Sequence, residues 1–241
     1  MQPVAVGIFC KTPAAGFSKT RLSPPLRPED CSALSACFIR DLASTIGSLQ
    51  RDGIATPYAV YTPAGTEAAL RGLLPESFRL LLQCDGDFGT RLCRATQDLL
   101  EAGHAGAILV NADSPTLPPS ILRAAVAAVR AGDSVVLGPA LDGGYTLIGL
   151  SRTHARVFAD IPWSTPDVFP RTVERAGEIG VLVTQVPGWY DVDDQASLRI
   201  LETELACGRL PPPLRGTAGA LAPATRAFLE RHLALLRKGA A

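Results

Sequence analysis

No sign of charge prevails in this sequence, because 23 lysine and arginine residues stand against 23 aspartate and glutamate residues in a chain of 241. Without a positive surplus, no overall field attracts the backbone of a nucleic acid or an anionic membrane surface. We therefore expect neither a nucleic acid nor a membrane among the partners of this protein. Recognition of an anion must then come from a local cluster of cations.

Long hydrophobic runs are also lacking. The first apolar run begins at Val4 and has about eight residues, which is too short for a membrane-spanning helix. It also lacks the basic flank of a secretory signal. We therefore expect a cytoplasmic protein.

Motifs for thiolate-bound or imidazole-bound metals are absent as well. The six cysteines include no Cys-x-x-Cys pair, and the histidines His104, His154 and His232 lie far apart. Zinc sites need closely spaced ligands of these types. We expect free, mostly buried thiols, and we expect oxygen ligands for any metal ion.

Short apolar runs alternate with helical stretches along most of the chain, and turn residues bound these runs, as is typical of buried strands. Strands are predicted at residues 4–9, 58–61, 79–83, 107–110, 134–137, 145–149 and 181–186. Helices are predicted at residues 28–46, 66–73, 89–101, after 119, and at 166–176, 194–207 and 223–238. Alternating strands and helices form βαβ units, so the pattern predicts a doubly wound, largely parallel sheet.

Two interruptions modify this pattern. The strand at 145–149 follows the strand at 134–137 too closely for a helical crossover, which predicts an antiparallel or mixed edge of the sheet. Three consecutive prolines, 211–213, then break the chain. We expect one domain over residues 1–210, followed by a proline-rich linker and a helix over residues 211–241.

A basic loop follows the first predicted strand, at the edge where open α/β sheets bind ligands. It contains Lys11, Lys19 and Arg21 together with the flexible backbone around Gly16. Cations and backbone N–H groups together suit a pyrophosphate; the alternative is a solvated basic turn. The loop lacks the glycines of a Walker phosphate loop and of GxGxxG, which argues against a P-loop kinase and a dinucleotide dehydrogenase.

Aspartates follow two later strands. Asp113 comes just after the strand at 107–110, where a carboxylate can hold Mg²⁺ or Mn²⁺ against a diphosphate, or can instead form an Asx turn. Asp142 precedes Gly143 and Gly144, whose backbone can approach a ligand closely. Asp142 is therefore a candidate base or ligand of sugar hydroxyls, although the two glycines are also consistent with a simple tight turn.

Taken in order, these clusters resemble bacterial GT-A-type glycosyltransferase-like proteins, often labelled arsenosugar-biosynthesis glycosyltransferases, of the nucleotide-diphospho-sugar transferase superfamily. The resemblance covers residues 4–201. Its motifs are Lys11-x-Pro-x-x-Gly-x-x-Lys-Thr-Arg-Leu, Asp113-Ser-Pro-Thr-Leu, Gly138-Pro followed by Asp142-Gly-Gly-Tyr, Trp163-Ser-Thr, and Asp191-Val-Asp. It implies a single GT-A or Rossmann-like three-layer α/β/α domain with a mostly parallel mixed sheet.

The resemblance also implies roles for individual residues. Gln83 with Gly89 and Thr90 is similar to the residues that contact the base in sugar-nucleotide pyrophosphorylases. Asp113 has Pro115 where a full Asp-x-Asp motif has its second aspartate. A second metal-binding carboxylate is therefore expected from the segment of Asp191 and Asp193, and the choice between these two stays open. The remaining residues are expected to line the donor sugar or the acceptor: Asp142, Gly143, Gly144, Tyr145, Trp163, Ser164 and Thr165.

The resulting prediction is a glycosyltransferase that uses Mg²⁺ or Mn²⁺ and transfers a sugar from a nucleotide sugar to a small-molecule acceptor. Two alternatives remain. One is a nucleotidyltransferase, related to guanylyltransferases, that joins a nucleoside triphosphate to a phosphorylated small molecule. The other is a catalytically silent nucleotide-binding module. The lysine-rich loop favours sugar transfer, because pyrophosphorylases carry a longer, glycine-rich loop at this position.

Overall fold

A computed structural model describes the backbone of residues 2–239 and the side chains of residues 2–232. One mixed sheet of seven strands runs through it, in the order β3-β2-β1-β4-β6-β5-β7. The strands are β1 (Val4–Lys11), β2 (Ala55–Thr62), β3 (Arg79–Leu82), β4 (Ala107–Asn111), β5 (Ser134–Pro139), β6 (Tyr145–Leu150) and β7 (Leu182–Gln185). The α-helices are α1 (Pro28–Arg51), α2 (Glu67–Arg71), α3 (Phe88–Glu101), α4 (Pro119–Ala131), α5 (Val168–Glu178), α6 (Gln195–Cys207) and α7 (Pro223–Gly239).

The alternating side chains of β1 enter two hydrophobic cores, one on each face of the sheet. Val4, Val6 and Ile8 pack into a core that includes buried residues of α1, α4, α6 and α7. Ala5, between them, belongs to the opposite core, together with residues of α3 and α5. Since successive side chains of a strand point to opposite faces, this arrangement gives three layers. The predicted α/β/α fold class is confirmed.

Strand β6 differs from its predicted place. It runs antiparallel to both β4 and β5 and lies between them, whereas the other pairs of the sheet are parallel. The antiparallel direction is confirmed, but the expectation of an edge position is wrong. The physical reason is that residues 146–150 of β6 are all buried, and a strand buried on both faces is favoured inside a sheet.

The C-terminal helix α7 is joined to α1 by a buried carboxylate. The side chain of Asp41, in α1, accepts hydrogen bonds from the backbone N–H groups of Ala224 and Thr225 at 3.0 and 2.8 Å. These N–H groups lie in the first turn of α7, where no intrahelical acceptor exists. Phe228 and Leu229 then enter the larger core. The described part of α7 therefore packs onto the sheet domain.

The cysteines have no disulfide partners within the described residues, and three of them (Cys10, Cys31 and Cys37) are buried. Cys84 and Cys93 are half-buried and Cys207 is exposed, so the expectation of mostly buried thiols holds for half of them. None of the described helices has the length and apolar character that crossing a bilayer requires.

Candidate active site

A cleft of about 540 Å³ opens beside the carboxyl ends of β1 and β4. This is the edge at which open α/β sheets bind ligands, and the volume is that of a small-molecule site. The cleft brings together these residues singled out in the sequence: Lys11, Lys19, Arg21, Asp113, Asp142, Ser164, Thr165 and Asp193. A basic loop and a group of carboxylates therefore face the same space.

Three carboxylates converge at this edge from two loops. Asp142 lies on the connection between β5 and β6, and Asp191 and Asp193 lie between β7 and α6. One oxygen from each of the three lies within 4.8 Å of the others. Within the described part of the chain, no other group of three or more acidic, histidine or cysteine side chains comes this close. Hard oxygen donors at such spacing fit Mg²⁺ or Mn²⁺.

Asp191 shows how strongly these charges act on one another. Burial, followed by the charges of Asp142, Asp193 and Asp113, raises the pKa of Asp191 to about 7. Like charges in a poorly hydrated place disfavour the ionised form. A bound cation would relieve this repulsion, so the electrostatics of the cluster also fit a metal ion.

Lys19 forms ion pairs with two of the aspartates at this edge, Asp113 and Asp193. Its Nζ atom is 2.8 Å from Oδ1 of Asp113 and 3.0 Å from Oδ1 of Asp193, and it donates to the carbonyl oxygen of Val192 at 2.5 Å. Burial acts to lower the pKa of Lys19, but the two carboxylates outweigh it and the pKa rises. The ammonium group therefore stays charged, and its three N–H donors already have acceptors.

Asp113 belongs to this ion pair. Burial raises the pKa of Asp113, and Asp193 adds to that effect, against the opposing effect of Lys19. The backbone carbonyl of Asp113 also accepts a hydrogen bond from the N–H of Val192 at 2.9 Å. Asp113 thus connects the end of β4 to the loop of Asp191 and Asp193.

The loop that carries Asp142 has a shape that only glycine permits. Gly143 has a φ of +93°, and a Cβ atom there would lie 2.6 Å from Cα of Pro166. The N–H of Gly144 donates to Oδ1 of Asp142 at 2.9 Å. Because the loop packs directly on the chain around Pro166, Ser164 and Thr165 are brought to the same cleft as Asp142.

A buried network of hydrogen bonds holds the start of the loop that carries Asp191 and Asp193. The hydroxyl of Tyr190 donates to Glu204, and the hydroxyl of Thr116 donates to the same Oε2 atom at 2.8 Å. The indole N–H of Trp189 donates to Thr116 at 3.2 Å. This network holds the two residues that directly precede Asp191.

Gln83 does not line the cleft, and both ends of its amide group are hydrogen-bonded. It donates to the carbonyl oxygens of Cys10 and Val60 at 3.1 and 2.9 Å and accepts from Nη1 of Arg91 at 2.9 Å. In this arrangement the side chain joins β1, β2 and α3. Its predicted contact with a nucleobase stays a prediction.

A second pocket, of about 590 Å³, is lined by other residues that the sequence marks as site candidates. Gly89, Thr90 and Trp163 line it, and none of these three lines the first cleft. Trp163 contacts Phe88 and Tyr145 edge to face, at centroid distances of 4.9 and 6.4 Å. Tyr145 thus packs against Trp163, and its hydroxyl group is buried.

Sequence reasoning gave no role to Asn111 or to Glu204. Asn111 donates to Oδ2 of Asp191 at 3.3 Å and accepts from the hydroxyl of Ser114 at 2.9 Å. Its place at the end of β4 was a usable signal, because residues that follow strands meet at this edge. Glu204 lies within α6, and no local pattern marks its contact with Thr116.

Comparisons with known proteins agree with this fold. A protein from Desulfovibrio desulfuricans G20, provisionally described as a nucleotide-diphospho-sugar transferase, is 27% identical with a TM-score of 0.82 over 99% of this chain and 98% of that chain. CMP:2-keto-3-deoxy-manno-octonic acid synthetase, complexed with CTP, is 14% identical with a TM-score of 0.52 over 85% and 98%.

A cytidylyltransferase from Leptospira borgpetersenii serovar Hardjo-bovis is 11% identical with a TM-score of 0.54 over 96% of both chains. At such identities, the synthetase and the cytidylyltransferase share the fold alone. The sequence has no significant match among curated proteins.

One family model matches the sequence directly, over residues 45–165, and its description is "Uncharacterized protein conserved in bacteria (DUF2064)". The match includes Asp113 and the loop of Asp142, and it ends at Thr165. Because the match spans half of the chain, this protein belongs to the DUF2064 family.

Proposed function

We propose that this protein is a transferase that acts on a nucleotide sugar with the help of a divalent cation. The observation that carries the proposal is the convergence of Asp142, Asp191 and Asp193, whose oxygens lie within 4.8 Å of one another beside a basic loop. Carboxylates and cations around one cleft suit a ligand that presents a metal ion and a diphosphate together. The likeness to the Desulfovibrio protein supports the same class of substrate.

In this proposal, Asp142, Asp191 and Asp193 hold the cation. Mg²⁺ or Mn²⁺, when bound, supplies positive charge against the diphosphate. The sequence made Asp142 a candidate base, but here it is proposed as a metal ligand because its oxygen lies close to those of Asp191 and Asp193. Asp113 acts through Lys19, to which it is bonded. The sequence left open which of Asp191 and Asp193 binds the metal ion, and in this proposal both do.

The phosphate contacts fall to Lys11 and Arg21. Both are exposed and line the cleft, so their donors are available to phosphate oxygens. Charge-assisted hydrogen bonds of this kind fix the position of a diphosphate. Lys19 contributes differently, because its N–H donors are occupied by Asp113, Asp193 and Val192. Lys19 instead holds the loop of Val192 and Asp193 in place.

Transfer of the sugar is favoured over transfer of the nucleotide. The loop between Lys11 and Arg21 is short and basic, as suits a departing diphosphate. In the proposed reaction an acceptor oxygen bonds to the anomeric carbon, the bond from that carbon to the diphosphate breaks, and the acceptor proton passes to water. Ser164 and Thr165, which also line the cleft, are the proposed contacts for the sugar or the small-molecule acceptor.

The test uses Mn²⁺ and two panels of substrates. One panel contains UDP-, GDP- and ADP-linked sugars, and the other contains the four nucleoside triphosphates. We expect release of a nucleoside diphosphate from one of the sugars, slowly without acceptor because water substitutes, and intact triphosphates. Pyrophosphate from a triphosphate, with no nucleotide sugar consumed, would instead identify a nucleotidyltransferase. Nucleotide binding without turnover in either panel would identify a silent binding module.

A further inference from the structure

Phe17 is a large apolar side chain on the basic loop, and it is 72% exposed. A single exposed apolar residue on a protein surface needs no explanation. Phe17 differs in its position, because it lines the cleft together with Arg21 and Asp113. Phe17 therefore borders the space in which the proposed ligand lies.

The backbone around Phe17 is fixed by local hydrogen bonds. The N–H groups of Phe17 and Ser18 both donate to the carbonyl oxygen of Ala14 at 3.1 Å. The hydroxyl of Ser18, which is buried, accepts from the N–H of Ala14 at 3.1 Å. Gly16 makes this turn possible with a φ of +77°. The ring is thus presented on an ordered turn, which lowers the entropic cost of binding through it.

Lys19, two residues further on, anchors the other end of this segment. Its side chain is 5% exposed and reaches Asp113 and Asp193. The segment that carries Phe17 is therefore attached to Asp113 and Asp193 through Lys19. A phosphate has nothing to gain from an apolar ring, so the ring suits a flat, weakly polar part of the ligand.

We propose that Phe17 is a stacking platform for the nucleobase of the nucleotide. This inference rests on the proposed function, since it concerns the same cleft. Bases stack on aromatic side chains through their π-faces, and the contact tolerates every base. Phe17 has no polar atom, so it recognises the presence of a base and leaves the choice among bases to other groups.

The experiment measures the affinities of UDP, GDP, ADP and CDP, and of inorganic pyrophosphate, by calorimetry in Mn²⁺. Phe17→Ala weakens the best nucleoside diphosphate about tenfold, the scale of one base stacked on an aromatic ring. It leaves pyrophosphate unchanged, because pyrophosphate has no base. Phe17→Tyr keeps the ring and retains the affinity. Leu182→Ala, a change at a residue of β7 that is 76% exposed, is the matched control and has no effect.

Two results would overturn the inference. If Phe17→Ala leaves nucleotide affinity unchanged, or weakens pyrophosphate equally, the ring does not stack on a base, while nucleotide binding by the unmodified protein still supports the proposed function. If the unmodified protein binds none of the four nucleotides, the inference and the proposed function both fail.

Discussion

Lys19 and Asp113 form an ion pair in which Nζ and Oδ1 are 2.8 Å apart. The lysine comes from the loop after β1 and the aspartate from the segment after β4, so the pair joins two neighbouring strand ends. The side chain of Lys19 is 5% exposed and that of Asp113 is 35% exposed. Lys19 is thus a buried counter-ion of Asp113 and Asp193.

Replacing Lys19 by methionine should destabilise the fold. Lys19→Met leaves Asp113, Asp193 and the carbonyl of Val192 without their cation. Removing one partner of a buried pair costs about 3–5 kcal/mol, and we expect about 2–3 kcal/mol here because the carboxylates are partly hydrated. Urea unfolding measures it. Lys11→Met, on the same loop but exposed, should change stability by less than about 0.5 kcal/mol; equal effects of the two variants would contradict the buried role.

Replacing Arg21 by alanine should weaken ligand binding without affecting the fold. Arg21 is exposed in the cleft, and a charge-assisted hydrogen bond contributes about 1–3 kcal/mol. We expect Arg21→Ala to lower nucleoside diphosphate affinity by that amount. Arg152→Ala, at an exposed arginine outside the cleft, is the control. An unchanged affinity in Arg21→Ala would remove this residue from the site.

Replacing Gly143 by alanine should cost more than the loss of a left-handed glycine alone. Gly180 also has a positive φ, +67°, but has open space where a Cβ would lie. Gly180→Ala therefore reports the backbone strain, about 1–2 kcal/mol. Gly143→Ala adds the collision with Pro166, and we expect about 1–3 kcal/mol more. Equal unfolding free energies of the two variants would show that the loops do not pack as described.

Glu204 should make the stability depend on pH. Burial raises the pKa of Glu204, although Tyr190 and Thr116 act against this. The folded protein then binds this proton more tightly than the unfolded chain does, so stability falls as pH rises from the ordinary glutamate range toward the raised value. Glu204→Gln cannot titrate and should lose this part of the dependence. Urea unfolding between about pH 4 and pH 8 tests it; parallel profiles would be inconsistent with a raised pKa.

Much of the fold follows from local sequence patterns. The alternation of short apolar runs with helical stretches predicts the strands and helices, because period and turn residues are local properties. The place of β6 does not follow from them. A short connection after β5 predicts an antiparallel neighbour, but whether another strand covers its far side depends on β4, nearly 40 residues earlier in the chain.

The candidate site is predictable in part for the same reason. The positions of Asp113 and Asp142 after strands mark them as candidates, whereas the pairing of Lys19 with Asp113 depends on contacts between loops distant in sequence. Gln83 shows a different ambiguity, since a polar residue at a strand end here bonds to the backbone of two neighbouring strands, while its predicted contact with a base stays a prediction. Sequence alone does not distinguish an amide that bonds internally from one that faces a ligand.

The role of the acidic cluster is tested most directly at Asp142, which is exposed and bonded only locally. Asparagine keeps its acceptor oxygen and removes the charge. The measurement is the affinity for UDP and GDP with and without Mn²⁺, in the unmodified protein, in Asp142→Asn, and in Asp167→Asn, an exposed control with the same change of charge. We expect Mn²⁺ to strengthen binding in the unmodified protein and the control, and Asp142→Asn to reduce that gain at least about tenfold. Binding that is indifferent to Mn²⁺, or an undiminished gain in Asp142→Asn, would contradict the proposed metal site.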